Sequence, residues 1–221
     1  MRFRYLILLS LLLAACRPTW QPPTIWRIAV PPSLRLWMGT LEACLPPQTV
    51  LALSGDEAEM RLHWGEPSAL AFPAFAIGEE ALVVITHPKN GISTLSEVQV
   101  RAIFRGQIEN WREIGGADQA VDVWVYPLEG EEMLAFEAWL GGRVTPSAHL
   151  AMTPPEMLMN IQNVPGAIGL LGERWVISGV NTVARLPAAP LLLVFRTPPS
   201  EEQATWITCL QQRATFPSPQ Q

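Results

Sequence analysis

Three carboxylates fall within four residues at Glu129, Glu131 and Glu132, with Gly130 between them and Tyr126 three positions upstream. Two of them open a run, Glu131 to Leu140, in which Met133, Phe136 and Leu140 recur at helical spacing. Carboxylates in a first helical turn are stabilised by the positive end of the helix dipole, so one reading is that they only cap their own helix. The other is that they line a site. Their negative potential favours a cation over an anion there, and paired carboxyls can serve as acid and base. Nothing completes such an enzyme: the chain has no Gly-x-Ser-x-Gly elbow, His-Glu-x-x-His or P-loop. His63, His87 and His149 carry no neighbouring partner pattern, and without a CxxC or His/Cys cluster a structural zinc is not expected. The chain therefore reads as a non-enzyme without cofactor or metal.

The elements that must position these residues alternate between strand and helix. Strands are expected at Ile25 to Val30, Thr49 to Leu53, Glu59 to His63, Ala81 to Thr86, Val121 to Tyr126, Ala167 to Leu171, Thr182 to Leu186 and Leu191 to Phe195. Ser33 precedes Leu34, Trp37, Met38, Leu41 and Leu45 at helical spacing and is placed to cap that helix. Thr94-Leu95-Ser96-Glu97 reads as a capping box for a helix that Gly106 stops. Thr153-Pro154-Pro155-Glu156 and Ser200-Glu201-Glu202-Gln203 open two more. Such alternation points to an α/β fold of mixed sheets covered by helices.

The ends and the composition bound where the protein works. Arg2 and Arg4 precede an apolar run from Tyr5 to Leu13, too short for a bilayer span and of the length of a secretory signal core. Leu13-Ala14-Ala15-Cys16 fits a bacterial lipobox, with Cys16 lipidated; the alternative is an ordinary signal with an incidental cysteine. Residues 1–15 would then be a leader and 16–24, rich in proline, a stiff tether. Losing Arg2 and Arg4 takes the net charge from -5 to -7, which argues against a nucleic-acid partner. Cys44 and Cys209 remain as an even pair in an oxidising compartment, either a disulfide joining the first and last helices or two buried thiols.

The stretch from Ile92 to Gly116 carries the densest signature: Leu95, Ile103, Phe104, Gly106, Ile108, Asn110, Trp111, Ile114, Gly115 and Gly116. It resembles the helix-and-turn motif of phosphate-type periplasmic binding proteins, the solute receptors of ABC importers. Upstream, EALVVITHPKN (Glu80 to Asn90) is similar to the family's buried strand and Asn-Pro-x-Asn turn. Downstream, VPGAIGL (Val164 to Leu170) is similar to its Pro-Gly-Ala-Ile-Gly-Tyr element, with Leu170 in place of tyrosine.

The resemblance implies a two-lobe periplasmic-binding-protein-like (type II) fold with ligand held between lobes that close about a hinge. Lobe I would be 24–85 plus 180–213, lobe II 86–179, and 214–221 a flexible tail. Thr86 and His87 would lie at the hinge crossing. Receptors of this type hold phosphate with backbone N–H groups, hydroxyls and an arginine–acid pair, much of it from an Arg-x-x-x-Ser-Gly-Thr loop. Here Tyr126 stands in the place of that arginine, and Gly130-Glu131-Glu132 in the place of Ser-Gly-Thr. The implied ligand-binding positions are thus Ser33, Leu34, Thr86, Tyr126, Glu129, Gly130, Glu131 and Glu132, in a loop whose charge repels phosphate. The expected partners are a small solute, an anion by family analogy and neutral or cationic by local charge, an ABC permease, and the membrane through the lipid. A sensor or interaction lipoprotein built on the same fold is the alternative.

Overall fold

The computed structural model describes residues 21–66 and 72–215. The expected leader, Cys16 and most of the tether lie outside the described residues, as does the chain beyond 215. Residues 214 and 215 of the expected tail continue the last helix.

The described strands, in chain order, are β1 (Thr24–Ala29), β2 (Thr49–Leu53), β3 (Met60–Trp64), β4 (Ala74–Glu80), β5 (Leu82–Thr86), β6 (Asp122–Val125), β7 (His149–Leu150), β8 (Ala167–Gly172), β9 (Asn181–Arg185) and β10 (Ala189–Phe195). They form two mixed five-stranded sheets, β2-β1-β3-β10-β4 and β7-β6-β8-β5-β9, one for each lobe. In the first, β1 runs parallel to β2 and β3, while β10 is antiparallel to β3 and β4. In the second, β6 is parallel to β7 and β8, while β5 is antiparallel to β8 and β9. The helices are α1 (Met38–Glu42), α2 (Glu97–Phe104), α3 (Glu131–Leu140), α4 (Pro154–Asn163) and α5 (Glu201–Thr215).

Burial follows from the side chains. In β3 the alternation places Met60, Leu62 and Trp64 in the core and turns Arg61 and His63 to the other face. All five residues of β5 and all six of β8 are buried, so these strands lie inside their sheet, with α4 packed on them. This shifts the lobe boundaries from the expected 85/86 and 179/180. A strand apolar on both faces needs hydrogen-bonded neighbours on both edges, and β5 finds them in β8 and β9. The chain therefore crosses between lobes at Glu80–Leu82 and again between Arg185 and Ala189. Thr86 and His87 sit within the second lobe, where His87 Nδ1 accepts from Lys89 N at 2.9 Å and caps a short turn.

Two helix starts also differ from expectation. Ser96, not Thr94, caps α2: its Oγ accepts from Gln99 N (3.3 Å), and Gln99 Oε1 from Ser96 N (2.9 Å). Leu95 N is already engaged by Val183 O of β9 at 2.8 Å, which keeps the preceding residues extended. Ser33 caps nothing; a 3₁₀ turn over Pro32–Trp37 starts two residues earlier than expected with Pro31 as its cap, and Pro32 at the first position has no N–H to satisfy. The cap of α5 forms as expected, Ser200 and Gln203 bonding reciprocally at 3.2 and 2.9 Å.

The signature stretch is a brace for α3. Trp111 is fully buried, and its Nε1 donates to Gly166 O at 2.9 Å. A Cβ on Gly166 would lie 2.4 Å from Ala120 O, so only glycine permits this approach. Arg101 donates to Trp139 O, and Arg105 to Leu140 O and Gly141 O, so two cations close the C-terminus of α3. With that end held, the N-terminus of α3 is fixed at the junction of the lobes. In the first lobe, Cys44 and Cys209 form a disulfide that ties the end of α1 to α5, with Cα atoms 5.9 Å apart.

Candidate functional site

A cleft of about 350 Å³ lies between the lobes. The first lobe contributes Pro31, Pro32 and Ser33 from the turn after β1, and Arg61 from β3. The second contributes Tyr126, Pro127 and Glu129–Glu132 from the β6–α3 connection, and Met152 and Pro154 from the start of α4. Of the residues expected at the site, Ser33, Tyr126, Glu129, Gly130, Glu131 and Glu132 come together here. Leu34 and Thr86 do not: both are fully buried, Leu34 in the first-lobe core and Thr86 at the end of β5.

Two hydroxyls at the cleft have no hydrogen-bond partner, Ser33 Oγ and Tyr126 Oη. Ser33 is 5% exposed and Tyr126 2%. Since Pro31 caps the turn, the Ser33 hydroxyl is not used locally. Its carbonyl is held from the other lobe by Trp175 Nε1 at 2.6 Å. Burial pushes the Tyr126 phenol well above its usual range, with the Glu132 carboxylate adding to the effect. It is a neutral donor and acceptor at physiological pH.

The carboxylates divide in role. Glu129 is exposed at the rim. Glu132 is 8% exposed, and burial raises its affinity for a proton; its own backbone N–H and the nearby Ser33 hydroxyl oppose this, without the hydroxyl meeting hydrogen-bond geometry, and Glu131 reinforces it. Gly130 precedes α3 with no side chain, and a Cβ there would press within 3.4 Å of the Glu132 carboxyl. Glu131 leaves its own helix and reaches across to β3. It pairs with Arg61 Nη2, lies 3.4 Å from His63 Nε2, and accepts from Trp64 N at 2.7 Å. An arginine–acid pair is thus present, with the acid on the loop and the arginine on β3.

A second contact joins the lobes beside the crossing strands. Glu80, 5% exposed, accepts from Trp37 Nε1 (2.7 Å) and Arg174 N (3.1 Å), and pairs with Arg174 Nε (3.2 Å). The Arg174 guanidinium lies 3.8 Å over the Trp37 ring. The lobes are therefore joined both by this cluster and, at the cleft, by Glu131.

Chemically the cleft offers two unpaired neutral hydroxyls, one buried carboxyl and one rim carboxylate. Its lining cation, Arg61, is neutralised by Glu131. Among the described residues no group of three His, Cys, Asp or Glu is placed to hold a metal ion. Sequence reasoning missed Arg61, Met152 and four prolines, Pro31, Pro32, Pro127 and Pro154, as lining residues. A signal existed for Arg61: the period of two in Met60-Arg61-Leu62-His63-Trp64 puts two basic-type side chains on the non-core face of β3.

A family model described as a PBP superfamily domain matches residues 69–204, more than half of the chain. The chain belongs to the PBP superfamily. Among relatives of this PBP-superfamily protein, the phosphate-binding protein PstS of Bacillus subtilis (strain 168) is 26% identical over 91 residues, 41% of this chain and 30% of that protein. The match thus spans about a third of the relative's length. In fold the chain is similar to a protein of Clostridium perfringens described as a phosphate ABC transporter substrate-binding protein, solved with bound phosphate. The TM-score is 0.74 at 18% identity, covering 85% of this chain and 93% of that one. An ABC-type phosphate transport receptor from Vibrio cholerae gives a TM-score of 0.64 at 16% identity, over the same shares. These likenesses establish a two-lobe periplasmic-binding-protein-like fold.

Proposed function

We propose that this protein is an extracytoplasmic, lipid-anchored solute receptor, a subunit of an ABC importer, whose cleft takes a small neutral or cationic solute and not free phosphate. The observation that carries this reading is the pair of buried hydroxyls, Ser33 Oγ and Tyr126 Oη, one from each lobe beside the buried carboxyl of Glu132, neither in hydrogen-bond geometry with any described residue. A buried hydroxyl without a partner costs about 1–3 kcal/mol, and a solute bridging the two would offset that cost on closure. Among the described residues phosphate finds no free cation lining the cleft, and it meets the rim carboxylate of Glu129 and the buried carboxyl of Glu132. Amines, polyols and sugars present the donors and acceptors that two hydroxyls and a carboxyl can meet. The lipid anchor rests on Leu13-Ala14-Ala15-Cys16, and the importer role on the named transport relatives.

The Glu131 bridge favours a second reading, a sensor or interaction lipoprotein, because it joins the lobes without any solute. Native mass spectrometry of protein isolated gently from its own host separates the two. A retained small neutral or cationic molecule, lost in a Ser33→Ala/Tyr126→Phe variant, supports the receptor. A retained phosphate contradicts the proposed ligand class, and an empty cleft with a co-isolated protein favours the second reading.

A further inference from the structure

β1 ends at Ala29, and Pro31 and Pro32 carry the chain away, so β1 pairs with β3 only at Met60 and Arg61. Beyond Arg61 no described strand neighbours that edge of β3, and its N–H groups need acceptors from elsewhere. Trp64 N–H finds Glu131 Oε2 at 2.7 Å. On the same stretch the non-core face holds Arg61 and His63, which meet the other oxygen, Oε1. Two donors from lobe I, Arg61 Nη2 and Trp64 N–H, converge on one carboxylate from lobe II whose side chain is only 13% exposed, and His63 Nε2 lies beside it at 3.4 Å. A guanidinium and a backbone N–H holding the two oxygens of one carboxylate, with a ring nitrogen 3.4 Å from one of them, make an oxyanion cradle.

We propose that β3 carries an oxyanion site of its own, formed by Arg61, His63 Nε2 and Trp64 N–H, and that Glu131 is its resident ligand supplied by the chain. A free carboxylate or phosphate-type oxyanion enters this site only in exchange for Glu131, and that exchange releases α3 and the second lobe from β3. Glu131 is then the residue that denies anions to this cleft. It does so by filling their place, in addition to the repulsion that its charge exerts. The inference requires the bridge between lobes and not the identity of the solute held by Ser33 and Tyr126.

The test compares thermal melts of the full chain and of Glu131→Ala in chloride, acetate and inorganic phosphate at matched ionic strength. In Glu131→Ala the vacated cradle is expected to take acetate or phosphate, raising the midpoint by about 5–10 °C once the anion reaches about 100 times its dissociation constant. The unaltered protein is expected to show no such anion-specific shift, and adding Arg61→Ala to Glu131→Ala is expected to abolish it. A folded Glu131→Ala that melts alike in all three salts overturns the proposal, and so does a response that survives the loss of Arg61. Should Glu131→Ala fail to fold, Arg61→Ala, which removes a half-exposed guanidinium, replaces it with small-angle scattering as the readout. An increased radius of gyration from lobe opening is expected, and an unchanged one overturns the proposal. Failure of either arm leaves the reading of Ser33 and Tyr126 standing, because neither arm uses a cleft solute.

Discussion

Replacing Cys44 and Cys209 together by alanine opens a ring closed across 165 residues. Loop-closure entropy for a ring of that size corresponds to about 5 kcal/mol at 25 °C. Little packing is lost alongside it, since both cysteines are only half-buried. The contact they reinforce remains: Trp206 is 1% exposed, donates from Nε1 to Leu41 O at 2.9 Å, and lies 5.4 Å from the Trp26 ring. The effect therefore falls mainly on the unfolded chain, which gains freedom, while α5 stays docked on β4. For a chain of this size each kcal/mol moves the midpoint by about 2–4 °C, so the double variant should melt about 10–20 °C below the oxidised protein. Calorimetry of the oxidised protein, the reduced protein and the double variant checks this, and the last two should coincide. Urea titration should give a larger m-value for the variant, because its unfolded ensemble exposes more surface. A fall of less than about 3 °C, the scale of one ordinary packing change, would refute the argument that this ring constrains the unfolded state.

Tyr126→Phe removes a buried hydroxyl that has no partner, so stability should hold or rise by about 1 kcal/mol while solute affinity falls about tenfold; a loss of stability in denaturant titration would show that the hydroxyl is structurally engaged. Glu132→Gln should stabilise the protein at neutral pH. Burial raises the folded-state pKa of Glu132, so the native state holds this proton more tightly than the unfolded chain does. Its favourable contribution is full below the unfolded-state value and is lost as pH rises through the folded-state value. The gain in Glu132→Gln at neutral pH is about 1.4 kcal/mol for each unit of that rise, and melts across a pH series should show the two proteins converging in acid. Gly166→Ala forces a methyl to within 2.4 Å of Ala120 O and should cost about 1–3 kcal/mol, read by thermal melting; an undisturbed melt would mean that the turn before β6 yields freely.

Local pattern was legible where local chemistry decides. The bounds of β2 and α3 are those read from periodicity, and Gly141 at φ 69° ends α3 where a left-handed residue is needed. The Ser200–Gln203 cap is likewise local. Tertiary pairing decided the rest. β4 escaped notice because Ala74-Phe75-Ala76-Ile77-Gly78-Glu79-Glu80 has no clean alternation; it is a strand because β10 pairs with it and α5 covers it. The lobe boundary moved because β5 takes its neighbours, β8 and β9, from segments 82 and more positions later, which no window on the sequence contains. In the cleft, the β6–α3 loop could be found by its charge. The partner of Glu131 could not, since Arg61 reaches it only once β3 is placed beside β1 and β10. Burial of Trp111 was invisible for the same reason: its partner is the backbone of Gly166, 55 residues on.

The arginine on β3 is paired and the β6–α3 loop is acidic, so the cleft of this PBP-superfamily protein is unsuited to free phosphate. Isothermal titration of the full chain with inorganic phosphate at neutral pH, beside an amine, a polyol and a sugar series, tests it most directly. The account predicts no saturable heat with phosphate and a saturable response to a member of the neutral or cationic series that Tyr126→Phe weakens. Saturable phosphate binding at micromolar concentration in the unaltered protein would contradict it.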